Sequence, residues 1–134
     1  MTFRKMDMQD QTRPEGRNCI LAYGFSPEEG TKLAAHAVGI GIWETILLDG
    51  RSDGMRLLEI LEDPLAGTGT PAPEPAERKA VVFHAVSQEE LHRFIRQFSL
   101  LGMERPLFAM VTPVSAGWRL GELIGELQEE RKRL

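Results

Sequence analysis

Apolar runs and helical patterns follow one another in the same order in the two halves of the chain. Residues 18–25 and 79–86 are continuous apolar runs, which are typical of strands buried on both faces of a parallel sheet. Each run leads to a serine, Ser26 or Ser87, with a glutamate three residues later. This spacing predicts a capping box, in which hydroxyl and carboxylate accept hydrogen bonds from free backbone N–H groups at a helix start. The pattern in each half therefore predicts a buried strand that leads into a helix.

The remaining patterns add a second strand and a second helix to each half. Short apolar runs predict the second strands at about residues 44–49 and 106–112. A short helix is predicted at about 54–62 and a longer one at about 116–132. The longer helix is amphipathic, because large apolar side chains recur at i, i+3, i+4 and i+7: Leu120, Leu123, Ile124 and Leu127.

The two halves are related by an offset of 61 residues, which places residues 19–26 on residues 80–87. A strand–helix–strand unit forms a right-handed parallel pair in nearly all cases. We therefore predict an internally duplicated α/β fold. Its two β-α-β-α halves form one open, mainly parallel four-stranded sheet of order 2-1-3-4, with helices on both faces. The alternative is that the halves of two chains pair with each other in a swapped dimer.

Two segments of the chain have no apolar periodicity from which a core could be built. Residues 1–16 are predicted to be a flexible N-terminal tail. Residues 63–78 hold half of the eight prolines and are predicted to be a Pro/Gly-rich linker. Each remaining half, 17–62 or 79–134, is close to the lower size limit for independent folding, so we expect them to share one domain.

Composition and charge narrow the classes of function. The 134 residues have a net charge of −4, and no segment is basic enough to bind nucleic acid. No apolar run approaches the roughly 20 residues of a membrane-spanning helix. Cys19 is the single cysteine, which excludes an internal disulfide and a multi-cysteine zinc site. We expect a cytoplasmic protein without a metal or other cofactor and without nucleic-acid or membrane partners.

The chain shows none of the common sequence motifs of catalytic sites. G-x-S-x-G, G-x-x-x-x-G-K-[ST], G-x-G-x-x-G and H-E-x-x-H are all missing from the sequence. His84 at the end of a predicted strand, with Ser87 nearby, would still need an orienting acid and an oxyanion hole. No catalytic residue is therefore assigned, and an enzyme is not favoured.

A binding site is predicted where the strands end, because ligands of open parallel sheets bind beyond the carboxyl ends of the strands. Backbone amides at the helix starts could bind an anion there. The candidate ligand- or partner-binding residues are Ser26, Asp49, His84, Ser87, Thr112, Ser115 and Trp118. For Asp49 the alternative is a cap in a glycine-rich turn. Trp118 has two interpretations, as an anchor of the last helix on the sheet or as a contact residue for a ligand or partner.

The pattern Thr112-Pro113-x-x-x-x-Trp118 before an acidic helix resembles a small bacterial domain family of unknown function. That family has a T-x-x-N-x-x-W turn, and the resemblance covers about residues 79–130. Ser115 stands where the family usually has asparagine. Since both residues cap helices, this difference favours a structural role for the position. The resemblance implies a bacterial, cytoplasmic protein and supplies no activity.

Two functional hypotheses remain open. The first is a non-enzymatic module that binds a protein partner or its own copy as a homodimer, through the sheet-end loops or the last helix. Gly121 and Gly125, four residues apart on that helix, favour close packing there, either within the fold or against another copy. The alternative is a sensor that binds a small anionic metabolite or nucleotide at the carboxyl ends of the strands.

Overall fold

A computed structural model describes residues 16–63 and 79–133. Apart from Gly16 and Asp63, the predicted tail and linker lie outside the described residues. The described chain forms four strands and four helices in the predicted order. They are β1 (Cys19–Tyr23), α1 (Pro27–Ile40), β2 (Thr45–Leu48), α2 (Leu57–Glu62), β3 (Ala80–His84), α3 (Gln88–Gln97), β4 (Leu107–Met110) and α4 (Leu120–Arg133).

The strands form one sheet of order β2-β1-β3-β4, as predicted. Within each half the strands are parallel, β1 with β2 and β3 with β4. The central strands β1 and β3 are antiparallel, with Leu21 opposite Val82. The prediction of a mainly parallel sheet is therefore wrong, and the sheet is mixed. The handedness rule for parallel units acts only within a half. No local pattern determines the direction in which the second half joins the first.

Helices cover both faces of the sheet, so alternate residues of the central strands lie in two different layers. Leu21 and Val82 pack in the layer of α2 and α4. Ile20 and Val81 pack in the layer of α1 and α3. Because both faces are covered, every residue of β1 is buried, which is the burial that its continuous apolar run predicts.

The two predicted capping boxes are confirmed at the starts of α1 and α3. The Ser26 hydroxyl accepts a hydrogen bond from Glu29 N at 3.2 Å, and the Glu29 carboxylate accepts one from Ser26 N at 2.9 Å. Ser87 and Glu90 make the same pair of bonds at 3.1 and 3.0 Å. The starts of both helices are thus determined by residues that are close in sequence.

A second contact between the halves lies before α2 and α4. Arg56 and Arg119 form an antiparallel bridge. Around them, Leu57 N donates to Trp118 O at 2.9 Å and Leu120 N donates to Met55 O at 2.8 Å. The two guanidinium groups donate to carbonyls of the opposite segment, Arg56 to Gly117 and Arg119 to Gly54. These contacts are reciprocal, as they are in an interface between two like subunits.

Candidate functional site

The antiparallel pairing of β1 and β3 places the predicted site residues after strands that end at opposite edges of the sheet. Ser26 and Asp49 follow β1 and β2, whereas His84 and Ser87 follow β3. The segment from Thr112 to Trp118 follows β4, which runs parallel to β3. The expectation that all these segments meet at one edge is therefore wrong, because it depended on four parallel strands.

The serines and the aspartate are already bonded within the chain. Ser26 and Ser87 cap α1 and α3, and each of these helix starts also holds the carboxylate of its own glutamate. Asp49 accepts hydrogen bonds from the backbone and side chain of Arg51, both at 2.9 Å. The Arg51 side chain, through that hydrogen bond, lowers the pKa of the Asp49 carboxyl group. Asp49 thus caps a short turn, Gly50–Ser52.

His84 contacts the segment that leads into β1. Its Nδ1 lies 2.6 Å from the carbonyl oxygen of Arg17, and its ring fills the space in which a Gly16 side chain would lie. Cys19 is fully buried at the start of β1. Burial raises the pKa of the Cys19 thiol to about 11, so the thiol stays neutral at physiological pH.

Among residues 16–63 and 79–133, no three histidine, cysteine, aspartate or glutamate side chains are grouped so that they could hold a metal ion. In the same part of the chain, no helix is long and apolar enough to cross a membrane.

Thr112 and Ser115 hold the turn between β4 and α4. The Ser115 hydroxyl accepts a hydrogen bond from Thr112 N at 2.9 Å, and the Thr112 hydroxyl accepts one from Ser115 N at 3.1 Å. Ser115 starts a single 3₁₀ turn, Ser115–Gly117, and α4 begins only at Leu120. The predicted helix start at about residue 116 is therefore wrong. The backbone at Trp118 is extended, because its carbonyl pairs with Leu57.

Trp118 contacts both the core and an open groove at the surface. Its side chain is partly buried and packs against the core layer of α2 and α4. The same side chain lines an open groove of about 650 Å³ along α4. We call this the α4 groove; it is lined by Trp118, Glu122, Gly125, Glu126, Gln128 and Glu129.

The two glycines of α4 have different surroundings. A Cβ atom at Gly121 would lie 3.2 Å from the Asp53 Cβ atom, so Gly121 lets α4 approach the turn after β2. A Cβ atom at Gly125 would meet nothing within 4 Å. Gly121 is thus explained by packing within the fold. Gly125 instead leaves free space in the α4 groove, which Trp118 also lines.

Comparison with known proteins gives one match, and it lies in the half that contains this groove. Residues 79–134 match the family model described as a domain of unknown function, DUF3783. The predicted resemblance to a small family of unknown function is confirmed. No curated protein and no solved structure matches the chain. The matched segment contains β3, α3, β4, α4 and every residue of the α4 groove.

The charged side chains that line the α4 groove are all acidic. Glu122, Glu126 and Glu129 are exposed at i, i+4 and i+7. Neighbouring like charges at i, i+4 destabilise a helix by about 0.2–0.5 kcal/mol. These glutamates are not among the residues that the sequence pattern predicts for a site. The signal was present, because a glycine and three glutamates recur on the polar face of an amphipathic helix that closely follows a tryptophan.

Proposed function

We propose that this protein is a non-enzymatic protein-interaction module and that the α4 groove is its binding surface. One observation carries the proposal: a partly exposed tryptophan lies beside a helical glycine whose side-chain space is empty. A glycine inside a helix costs about 1 kcal/mol relative to alanine. Tryptophan is enriched among the residues that dominate the binding energy of protein interfaces. A partner side chain that enters the groove would contact both Trp118 and Gly125.

The partner is a different protein rather than a second copy docked groove to groove. A symmetric contact would place Glu122, Glu126 and Glu129 opposite the same three carboxylates. Like charges that face each other in an interface cost several kcal/mol. The α4 groove therefore favours a heterologous partner over the homodimer expected as one alternative.

The alternative of an anion sensor has less support from the same geometry. The amides at the starts of α1 and α3 already bind the carboxylates of Glu29 and Glu90. An anion would have to displace a negatively charged group that the chain itself supplies. The protein-interaction hypothesis needs no such exchange, because the α4 groove is open.

The two halves are also proposed to be the products of an internal duplication. Support comes from the matching order of elements, the two capping boxes and the reciprocal bonds of Arg56 and Arg119. The backbone agrees as well: Gly24 has a φ of 84°, and Ala85, its equivalent at the offset of 61, has a φ of 55°. A non-glycine residue rarely adopts this left-handed conformation.

A bacterial, cytoplasmic setting is part of the same proposal. The bacterial source is what the resemblance of the C-terminal half to its family implies. A reducing compartment agrees with a single cysteine that lies buried and unpaired.

The experiment is a selection of a random peptide library on phage against the full-length chain. Selected peptides are then tested for binding to Gly125→Gln, which fills the groove, and to Gly39→Gln. Gly39 is a matched control, because it is an exposed glycine of α1 that also has nothing within 4 Å of its Cβ position. We expect Gly125→Gln to lose binding while Gly39→Gln keeps it. Peptides that bind both variants equally, or a selection without enriched peptides, would contradict the proposal.

A further inference from the structure

The α4 groove combines an aromatic side chain with negatively charged carboxylates. The Trp118 indole forms one part of the lining, and Glu122, Glu126 and Glu129 supply its charged groups. A guanidinium group can stack on an indole ring and donate hydrogen bonds to carboxylates at the same time. Charge and surface chemistry therefore both match an arginine side chain.

We infer that the α4 groove binds a short basic segment of a partner protein, with an arginine placed between Trp118 and the glutamates. This inference rests on the proposed function and names the partner's chemistry. The arginine head contacts the carboxylates, while an apolar residue next to it fills the free space over Gly125.

The spacing of the carboxylates limits the partner further. Glu122 and Glu129 are seven residues apart in α4, which corresponds to about 10 Å along the helix axis. An extended peptide covers this distance in about three residues, at about 3.3 Å each. The segment should therefore carry two basic residues that are two or three positions apart, one near each end of the acidic row.

Electrostatics agrees with a basic partner. The whole chain has a net charge of −4, and the charged side chains that line the groove are three glutamates. Complementary charge accelerates association and depends on salt concentration. Binding should weaken several-fold between about 50 and about 300 mM salt, because these exposed charges are screened.

The test uses the sequences recovered by the peptide selection against the full-length chain. We expect the peptides that require the groove to be enriched in paired arginines next to an apolar residue. Peptides that require the groove but are neutral or acidic would overturn this inference and leave the proposed function standing. A selection without groove-dependent peptides would overturn the proposed function itself.

A charge reversal tests the contact directly. In full-length Glu126→Lys, the dissociation constant of a selected basic peptide, measured by fluorescence anisotropy, should rise at least about tenfold, as expected for an attractive contact made repulsive. Glu104→Lys is the matched control, because Glu104 is exposed outside the groove, and its effect should stay within about twofold. If both variants lose affinity for the peptide equally, the loss is an effect of net charge and the inference is wrong. If spermidine competes as well as the peptide, the inference that the groove binds a protein segment is wrong.

Discussion

Glu29 links the start of α1 to the second half of the molecule. Its carboxylate accepts hydrogen bonds from Lys79 Nζ at 2.8 and 3.0 Å and also completes the capping box with Ser26. The hydrogen bond from Lys79 is the main reason that the pKa of Glu29 is lowered, and the bond from the Ser26 backbone contributes further. A single carboxylate thus stabilises a helix start and a contact between the halves.

The lowered pKa of Glu29 predicts the direction of a pH effect. Because its folded pKa lies below the unfolded value of about 4.3, its contribution is complete above that value and is lost as the pH falls towards the folded pKa. Lys79→Met should lower the free energy of unfolding at pH 7 by up to about 1 kcal/mol, since the pair is partly exposed. Urea unfolding at several pH values should show the difference shrinking in acid.

Lys32→Met is the control for this pH effect, because Lys32 is an exposed lysine of α1. The free energy of unfolding of Lys32→Met should equal that of the wild-type protein at every pH. If Lys79→Met lowers the free energy of unfolding by the same amount at pH 3 and pH 7, the ion pair is not the source of the loss.

Single residues were predictable where their partners are close in sequence. The boxes of Ser26 and Ser87 are local, since each serine and its glutamate are three residues apart. The exposed row of Glu122, Glu126 and Glu129 can also be located from the apolar stripe of α4. Its place beside Trp118 depends on the pairing of Trp118 with Leu57, which is far away in the chain, so these glutamates were not identified as site residues.

At the scale of elements, α4 shows how one helix can carry two different glycines. Gly121 allows a close approach to Asp53, and its N–H also donates to the Asp53 carbonyl at 3.0 Å. Gly125 has no such neighbour. The sequence pattern favoured close packing at both glycines, but only Gly121 is closely packed within the fold, and Gly125 lines the groove.

Alanine substitutions should separate these two roles. Gly125→Ala should stabilise the protein by up to about 1 kcal/mol, the difference in helix propensity. Gly121→Ala should lose that gain or become destabilising, because its methyl group would press on the backbone and side chain of Asp53. Thermal or urea unfolding measures both. Equal stabilisation by the two substitutions would show that the approach of Asp53 to α4 is not tight.

The sequence pattern predicted the wrong start for α4, because a contact with a distant residue determines where this helix begins. Ser115 has the residue type of a helix cap, so the pattern indicated a start at about residue 116. Its hydroxyl instead bonds to Thr112, and the backbone at Trp118 pairs with Leu57. The partner at Leu57 is too far away in sequence for a local pattern to reveal.

At the scale of the whole molecule, the strand order was predictable and the direction of one strand pair was not. Apolar runs and the handedness of parallel units determine each half. The mutual direction of β1 and β3 depends on how two finished halves dock. The chain between them, residues 64–78, is long enough to permit either direction.

The observed arrangement sets a minimum length for this connection. Arg17 Nη1 donates to Leu61 O at 2.7 Å, so α2 ends near the start of β1. Ala80 pairs with Tyr23, so β3 starts at the opposite end of β1. The connection therefore has to cover the five residues of β1, about 17 Å at about 3.3 Å per residue.

Shortening this connection should change the oligomeric state. Deleting residues 66–75 leaves five connecting residues, which reach about 17–20 Å when fully extended and have no length left for a path around the structure. We expect halves from two chains to exchange, which doubles the mass measured by light scattering. Deleting only residues 69–72 should leave the mass of the full-length chain unchanged. A ten-residue deletion that keeps the full-length mass and melting temperature would contradict this expectation.

The antiparallel contact of β1 and β3 also has a consequence for how the molecule opens. These two central strands belong to different halves, so neither half can leave without exposing the middle of the sheet and both core layers. Partial unfolding that releases one half is therefore suppressed. The amides between Leu21 and Val82 should exchange with solvent hydrogen only when the entire fold opens, although they join segments that are 61 residues apart in the chain.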